Sequence, residues 1–310
     1  MSGHDLKQAL LVLIGLFGLW FLRVFLLGLR PVPWEFPQVG GRLRPSAAET
    51  ATGFITVFFD TFGIGSFATT TAIFRAWRLV PDELIPGTLN VGHALSGVLS
   101  AFIFIGLVPV AAGTLLPMIV AAGVGAWVGS GFVARLSRHR VRLGMGTALF
   151  LAAGVMLLTQ LEWLPGGSDA LGLTGGRWAL AVLGNLVLGA LMTLGIGLYA
   201  PCMIMVSLLG MNPLAAFPIM MGSCAFLMPI SGARFVRESR YHPAASLGLT
   251  LGGVPALFVA AYIVKSLPVE AVRWVVIVVV LYTASTLLRA GLRELRALQA
   301  DTVASVEAAV

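Results

Sequence analysis

The sequence predicts an all-α polytopic membrane protein with an inverted-topology repeat: two four-segment units whose first segments are broken or re-entrant, plus an extra N-terminal helix. Three observations predict this fold: an apolar composition, a glycine-containing octapeptide that occurs twice, and opposite loop charges in the two halves. Of 310 residues, 58% are hydrophobic and 11% are charged, whereas soluble domains have roughly 45–50% apolar and about 25% charged residues. The chain is therefore expected to lie in a bilayer.

Nine apolar segments follow one another along the chain, and most are close to the roughly 20 residues that a membrane-crossing helix needs. They are 8–29, 50–76, 84–107, 113–134, 142–161, 178–209, 212–231, 243–265 and 272–290. The first is longer than the roughly 7–15 apolar residues of a signal peptide and has no small-x-small cleavage site, so we expect a retained helix. The segments divide the chain into four parts: an N-terminal helix with an interfacial linker (1–48), a first membrane repeat (49–165), a second membrane repeat (177–290) and an amphipathic cytoplasmic tail (291–310).

Two of these segments, 50–76 and 178–209, are too long for one crossing, and each contains nearly the same octapeptide. TFGIGSFA occupies residues 61–68 and TLGIGLYA occupies residues 193–200. Glycine is unfavourable inside a helix, so we predict that both helices break at these glycines.

Loop charge decides whether the broken helices cross the membrane. Three Arg-rich segments are predicted to be cytoplasmic by the positive-inside rule: 135–142, 234–240 and 289–296. Two apolar segments separate the balanced outer loop 162–177 from the second of these basic segments, but a change of side needs an odd number of crossings. Segment 178–209 is therefore predicted to turn back on itself. The same argument makes 50–76 re-entrant from the cytoplasmic side, so the two halves point in opposite directions.

The two breaks are the expected functional site. Non-helical backbone at membrane depth persists only where it is buried in protein or lines a wet cavity, and the free N–H groups at a half-helix N-terminus can hold an anion. The expected substrate-binding residues are Gly63, Gly65, Ser66, Thr69, Thr70 and Thr71 in the first half, and Gly195, Gly197, Tyr199 and Cys202 in the second. The alternative is that the small residues only allow close helix packing.

Ionisable and polar residues near the first break extend this site. Asp60 directly precedes the break, inside an apolar segment, where a charge is costly and usually functional. It either carries a coupling proton or holds a helix end. His93, with Asn90 three residues before it, lies in the next segment and can exchange a coupling proton near neutral pH; alternatively it is a buried side chain with satisfied hydrogen bonds. Ser223 is the expected substrate-binding residue at the equivalent place in the second half.

A Gly-spaced helix accompanies the two breaks. It reads GVGAWVG at residues 123–129, with a weaker counterpart, GGVP, at residues 252–255. Together with the GIG breaks, these residues resemble the TauE/SafE sulfite exporter family, also called the toluene-sulfonate uptake permeases, over roughly residues 50–290. The resemblance implies a bacterial or plant membrane protein with a duplicated four-segment unit that moves sulfite, organosulfonates or related small sulfur anions.

The resemblance also implies that Thr69 to Thr71, Asn90 and His93 line the site. One departure concerns the first break, where the family often has a GxGGG run. Here Ser66 follows Gly65, so a hydroxyl stands where the family has glycine, and the identity of the substrate stays open.

The predicted function is a secondary transporter, expected to be an exporter, of small sulfur-containing anions by alternating access, with proton coupling as an option. No GxxxxGK[ST] motif indicates ATP use, and we expect no enzyme activity, metal, cofactor or nucleic-acid partner. The expected partners are a small anionic substrate and the lipid bilayer, and a homodimer is compatible with the sequence. The expected location is the bacterial inner membrane, multi-pass, with a cytoplasmic C-terminus.

Two other classes of protein stay open. A membrane thiol–disulfide carrier would use Cys202 and Cys224, but both lie in the second half, and their counterparts Thr70 and Ala94 cannot exchange disulfides. A channel or an intramembrane enzyme would need a ring of like charges, a metal cluster or a nucleophile–base pair, and the sequence shows none of these.

Overall fold

The computed structural model describes residues 3–29, 43–63, 65–81, 83–132, 138–161, 170–192, 198–266 and 268–307. Within these ranges the chain is helical and has no β-strand, only an isolated bridge between Ala170 and Met211. In chain order the helices are α1 (Gly3–Gly28), α2 (Ala47–Thr61), α3 (Ser66–Ala76), α4 (Ile85–Leu107), α5 (Ala112–Phe132), α6 (Arg138–Gln160), α7 (Gly175–Met192), α8 (Tyr199–Leu208), α9 (Ala216–Arg237), α10 (Pro243–Ser266) and α11 (Val269–Glu307).

Apolar helices of membrane-crossing length confirm the predicted membrane location. In the described part of the chain, six stretches are long and apolar enough to span a bilayer. They are Asp5–Gly28, Ile85–Leu107, Gly175–Met192, Pro213–Arg237, Pro243–Ile263 and Trp274–Ala300. The second, fourth and fifth are mostly buried inside the protein, whereas the others expose much of their apolar surface, as helices that face lipid do. The chain is therefore an all-α, multi-pass membrane protein.

The buried helices α4 and α9 pack against each other in an antiparallel arrangement. Near the start of α4, the carbonyl of Asn90 lies against Gly232 in the second half of α9. Near the end of α4, Ile105 lies against Gly222 in the first half of α9. Residues near the end of α4 contact residues near the start of α9, so the two helices run in opposite directions.

Helices α6 and α11 form a second antiparallel pair. Gly146 of α6 faces Leu288 of α11. Closer to the start of α6, Nη1 of Arg142 pairs with Oε2 of Glu294 at 3.1 Å. The start of α6 and the late turns of α11 therefore lie at the same end of the bundle.

Two further pairs run parallel. In α2 and α10, Glu49 lies against Gly248, and Val57, further along α2, lies against Gly253, further along α10. Helix α7 packs along α5 in the same way, and its first turn is fixed there because the indole N–H of Trp178 donates to the carbonyl of Gly113 at 2.8 Å.

The break predicted in segment 50–76 is observed. Helix α2 ends at Thr61 and α3 begins at Ser66. Between them, Gly63 and Gly65 have φ angles of 94° and 84°, which residues with a side chain rarely adopt. Ile64, the middle residue of the motif, lies outside the described residues.

After this break the chain turns back toward the end from which α2 came. Helix α2 begins beside Gly248, and Phe74 near the end of α3 packs in a cluster with Ala245 and Leu249, which belong to the same turns of α10. Helix α2 has 15 residues and α3 has 11, so they extend only about 22 Å and about 16 Å. Neither is long enough to cross a hydrocarbon layer of about 30 Å.

Helices α7 and α8 form a similar pair at the opposite end of the bundle. Just past α8, the backbone N–H of Asn212 donates to the carbonyl of Ala170, just before α7, at 2.9 Å. The chain thus leaves α8 at the end where it began α7. The predicted break between the two helices, with Gly195 and Gly197, falls in residues 193–197 and lies outside the described part of the chain.

The C-terminal part of the chain is helical. Residues 291–307, which belong to the predicted amphipathic tail, continue α11 without interruption. The 39 residues of α11 extend about 58 Å, well beyond a hydrocarbon layer of about 30 Å. Helix α11 is therefore longer than one crossing of the apolar layer needs.

Candidate functional site

The N-terminus of α3 is held by a carboxylate from the other side of the first break. The backbone N–H of Ser66 donates to Oδ1 of Asp60 at 2.6 Å, and the Ser66 hydroxyl also interacts with this carboxylate. Gly65, the N-cap residue, has no side chain to cap the helix, and the Asp60 carboxylate caps α3 instead. Of the two roles predicted for Asp60, holding a helix end is observed, and proton coupling stays a prediction.

Thr70 and His93 connect α3 to α4. Both side chains are buried, and Oγ1 of Thr70 lies 3.1 Å from Nε2 of His93. The other ring nitrogen of His93, Nδ1, has no hydrogen-bond partner among the described residues. A buried polar atom without a partner costs free energy, so the Nδ1 atom is available to a polar ligand. The predicted alternative, a histidine with satisfied hydrogen bonds, holds for only one of its two nitrogens.

The other two threonines of α3 turn toward their own helix. The Thr69 hydroxyl donates to the carbonyl of Ser66 at 2.9 Å, and the Thr71 hydroxyl donates to the carbonyl of Phe67 at 2.7 Å. Ser and Thr commonly make such bonds inside helices. Because these hydroxyl protons are already in use, we revise the expectation that Thr69 and Thr71 donate to an anion, and Thr70 is the threonine that faces another element of the site.

The N-terminus of α8 lies close to the first break. A Cβ atom at Gly63 would overlap the thioether of Met203 in α8. Tyr199, the first residue of α8, is buried; its hydroxyl lies next to the sulfur of Cys224 in α9, and the Asp60 carboxylate is within electrostatic range of both. Within the described ranges the Tyr199 hydroxyl has no oxygen or nitrogen partner. The first turns of α8 therefore lie beside the first break, with Asp60 and the start of α3 on the other side of that break.

Open space lies next to the first break. Among the described residues, no heavy atom lies within 4 Å of the position that a Cβ would take at Gly65, although Gly65 itself is partly buried. The first amides of α3 begin beside it, because Ser66 follows Gly65 in the chain. Neutral hydrogen-bond donors at a helix N-terminus suit a small anion.

Two predicted site residues make their contacts elsewhere. The side-chain amide of Asn90 donates to the carbonyl of Pro86 in its own helix at 2.9 Å. The Ser223 hydroxyl donates to the carbonyl of Ile219 at 2.8 Å and lies 3.4 Å from the amide nitrogen of Asn185 in α7. The structure therefore brings Asp60, Ser66, Thr70, His93 and Tyr199 together, and it does not bring the polar groups of Asn90 and Ser223 to them.

Asn185 is a buried polar residue that the sequence reasoning missed. Its amide nitrogen donates to the carbonyl of Met118 in α5 at 2.7 Å, while its Oδ1 atom has no partner in the described part of the chain. A single amide in an otherwise apolar segment is typical of an interhelical hydrogen bond, and this signal could have identified Asn185.

No family model, curated protein or solved structure matches the chain. The resemblance to the TauE/SafE family therefore rests on the residues quoted above, and the site is the main source of functional inference.

Proposed function

We propose that the protein is a secondary transporter of small sulfur-containing anions, expected to be an exporter, that works by alternating access of two inverted repeats. The observation that carries the proposal is the approach of the first turns of α8 to the first break, where Asp60 caps the N-terminus of α3. Transporters built from inverted repeats bind substrate where discontinuous helices meet, and the positive end of a half-helix holds the anionic group.

Helix packing supports the inverted repeat. If α2–α6 correspond to α7–α11 in chain order, then α4 and α9 are equivalent, and so are α6 and α11. Each of these two pairs packs antiparallel, as a two-fold axis in the membrane plane requires, whereas an axis along the membrane normal would make equivalent helices parallel. The same two-fold rotation would place the α2–α10 pair on the α7–α5 pair, and the helices of each pair are in contact.

The correspondence extends to individual glycine contacts. In each of the two parallel pairs, α2–α10 and α5–α7, two glycines lie against the backbone of the neighbouring helix. These contacts are Gly252 on Thr50 with Gly53 on Leu249, and Gly125 on Leu186 with Gly189 on Ala122. On every one of the four helices the two positions are three residues apart, so the second set repeats the first. Unrelated close packing of small residues would not reproduce this register.

Loop charge supports an orientation for the two re-entrant pairs. The Arg-rich residues 234–240 adjoin the start of α4, where Gly87 lies against the carbonyl of Arg240, and the positive-inside rule assigns this end to the cytoplasm. We propose that α2–α3 enters from the cytoplasm and α7–α8 from the other side, with a cytoplasmic C-terminus in a bacterial inner membrane. Movement of one repeat against the other would then expose the shared site to each side in turn.

A binding panel with the purified protein tests the substrate class. Methanesulfonate and acetate form a matched pair that differs only in the acidic group, and sulfite, thiosulfate, sulfoacetate and taurine extend the panel. We expect the sulfur anions to raise the unfolding temperature, since a ligand at about 100 times its Kd stabilises the folded state by about 2.7 kcal/mol. Preferential stabilisation by acetate and other carboxylates would contradict the sulfur assignment.

A thiol–disulfide carrier is the second candidate. The two thiols, Cys202 and Cys224, are free and within electrostatic range of each other, which is the observation in its favour. Both are fully buried in the helix core, where a thiol on another protein cannot attack them, and exchange needs an accessible thiolate.

The double variant Cys202→Ala with Cys224→Ala separates the two candidates. We expect it to bind sulfonates as the wild-type protein does, at a stability loss of about 1–3 kcal/mol from the small cavities. Sulfonate titrations of both proteins, with unfolding curves as the folding control, are the measurement. Loss of binding in a folded double variant would favour the carrier.

A further inference from the structure

Asp60 is an unusual helix cap. A capping side chain normally belongs to the residue directly before the helix, which for α3 is Gly65. Here the carboxylate reaches across the break from the last turn of α2 and accepts from the N–H of Ser66, six residues later, at 2.6 Å. It thus occupies an amide that a bound anion would use.

The surroundings of Asp60 contain no compensating charge. Within the described ranges no arginine, lysine or histidine forms an ion pair with it. The titratable groups that face it are Tyr199 from α8 and Cys224 from α9, and α11 contributes Val279 beside Gly63. Tyrosine and cysteine side chains stay neutral at acidic and neutral pH, so Asp60 is the group among these three whose charge changes in that range. His93, whose Nε2 atom lies 3.1 Å from Oγ1 of Thr70, is the other such group of the site; the Asp60 variants keep it and therefore isolate the contribution of Asp60.

We infer that Asp60 is a built-in competitor of the transported anion: while charged it occupies the Ser66 amide, and once neutralised by a proton from solution it yields that amide to the substrate. The inference rests on the proposed function, because it assumes that an anion binds at the start of α3. Two negative charges at one helix N-terminus repel each other, so each anion that binds brings one proton onto Asp60. The open space beside Gly65 provides room for the incoming anion. The Tyr199 hydroxyl, which has no oxygen or nitrogen partner in the described part of the chain and lies within electrostatic range of Asp60, is a further neutral donor near the break.

The test measures anion affinity against pH with methanesulfonate, whose charge is constant between about pH 5 and about pH 8. For the wild-type protein we expect affinity to fall with rising pH, by at most about tenfold per pH unit, as the uptake of one proton with each anion requires. Asp60→Asn removes the charge and keeps the shape, and asparagine is a good capping residue. We expect this variant to bind equally well at all pH values and more tightly than the wild type at the alkaline end.

The matched control is Glu49→Gln, which neutralises another buried carboxylate in the same helix. It should keep the wild-type pH dependence. Asp60→Ser provides a second uncharged variant if Asp60→Asn proves unstable in unfolding curves. Nitrate, another anion of constant charge, provides a probe that does not depend on the sulfur assignment.

The outcomes separate this inference from the proposed function. If folded Asp60→Asn protein keeps the wild-type dependence of anion affinity on pH, the inference is wrong, but the proposed anion transport is not affected. Loss of binding at every pH in Asp60→Asn would also overturn it, because Asp60 would then act with the anion instead of against it. If nitrate binds with a pH dependence that Asp60→Asn removes, while methanesulfonate does not bind, Asp60 competes with the anion as inferred and the sulfonate assignment is wrong. Absence of anion binding in every protein would overturn both.

Discussion

Valine in place of Gly252 or Gly125 is expected to keep the paired helices apart and to leave little folded protein. A Cβ atom at Gly252 would overlap the carbonyl oxygen of Thr50 in α2, and a Cβ atom at Gly125 would overlap that of Leu186 in α7. Main-chain atoms inside a helix cannot swing aside as the end of a flexible side chain can. The loss should therefore exceed the roughly 1–3 kcal/mol that overpacked cores usually cost.

Unfolding temperature and the monodisperse fraction of the purified protein measure this effect. Gly123→Val is the matched control, because it lies in the same helix as Gly125 and no heavy atom lies within 4 Å of its Cβ position. We expect the control to behave like the wild type. Since Gly125 and Gly252 are equivalent in the proposed repeat, tolerance of valine at one of them and not at the other would contradict the equivalence.

Gly65→Val is expected to abolish anion binding by distorting the start of α3. Gly65 has φ 84° and ψ 118°, a combination outside the left-handed helical region that asparagine can visit, so it is strained for any residue with a Cβ atom. Its Cβ position meets no neighbour within 4 Å, so the effect comes from the backbone alone. A residue forced into such a conformation costs about 1–3 kcal/mol, and relaxation of that strain would move the Ser66 amide.

The readouts for Gly65→Val are methanesulfonate affinity and the unfolding curve. We expect affinity to fall by tenfold or more, the equivalent of about 1.4 kcal/mol, in protein that still contains its helices. Gly106→Val is the control, because Gly106 is also in open space but sits within α4 at an ordinary helical φ. Wild-type affinity in Gly65→Val would mean that the first break does not shape the anion site.

The first break could be predicted from the sequence because it is a local property of the backbone. Two glycines separated by one residue in an apolar helix indicate φ angles that other residues avoid, and Gly63 and Gly65 adopt such angles. The number of apolar segments and the charges of the loops could likewise predict a chain that turns back within the membrane. Both follow from the order of residues along the chain and do not require knowledge of how the helices pack.

The detailed contacts of the site could not be predicted in this way. The bond from Ser66 to Asp60 depends on how the chain turns between α2 and α3, which segment lengths do not specify. The bonds of Thr69 and Thr71 to carbonyls of their own helix, in contrast, could have been predicted, because threonines inside helices commonly make such bonds. The side-chain amide of Asn90 bonds to the carbonyl of Pro86 in its own helix, a contact that its position along α4 does not reveal.

The central claim is that α2–α3 and α7–α8 enter the membrane from opposite sides and meet in the middle. Single cysteines in the Cys202→Ala, Cys224→Ala background test it, by labelling with a membrane-impermeant maleimide in sealed vesicles of known orientation. Trp77→Cys, just past α3, and Leu208→Cys, at the end of α8, are both at exposed positions. Arg237→Cys and Leu171→Cys serve as references for the two ends of the bundle.

The account predicts that Trp77→Cys labels from the same side as Arg237→Cys, and that Leu208→Cys labels from the other side together with Leu171→Cys. Labelling of Trp77→Cys and Leu208→Cys from one and the same side would contradict it.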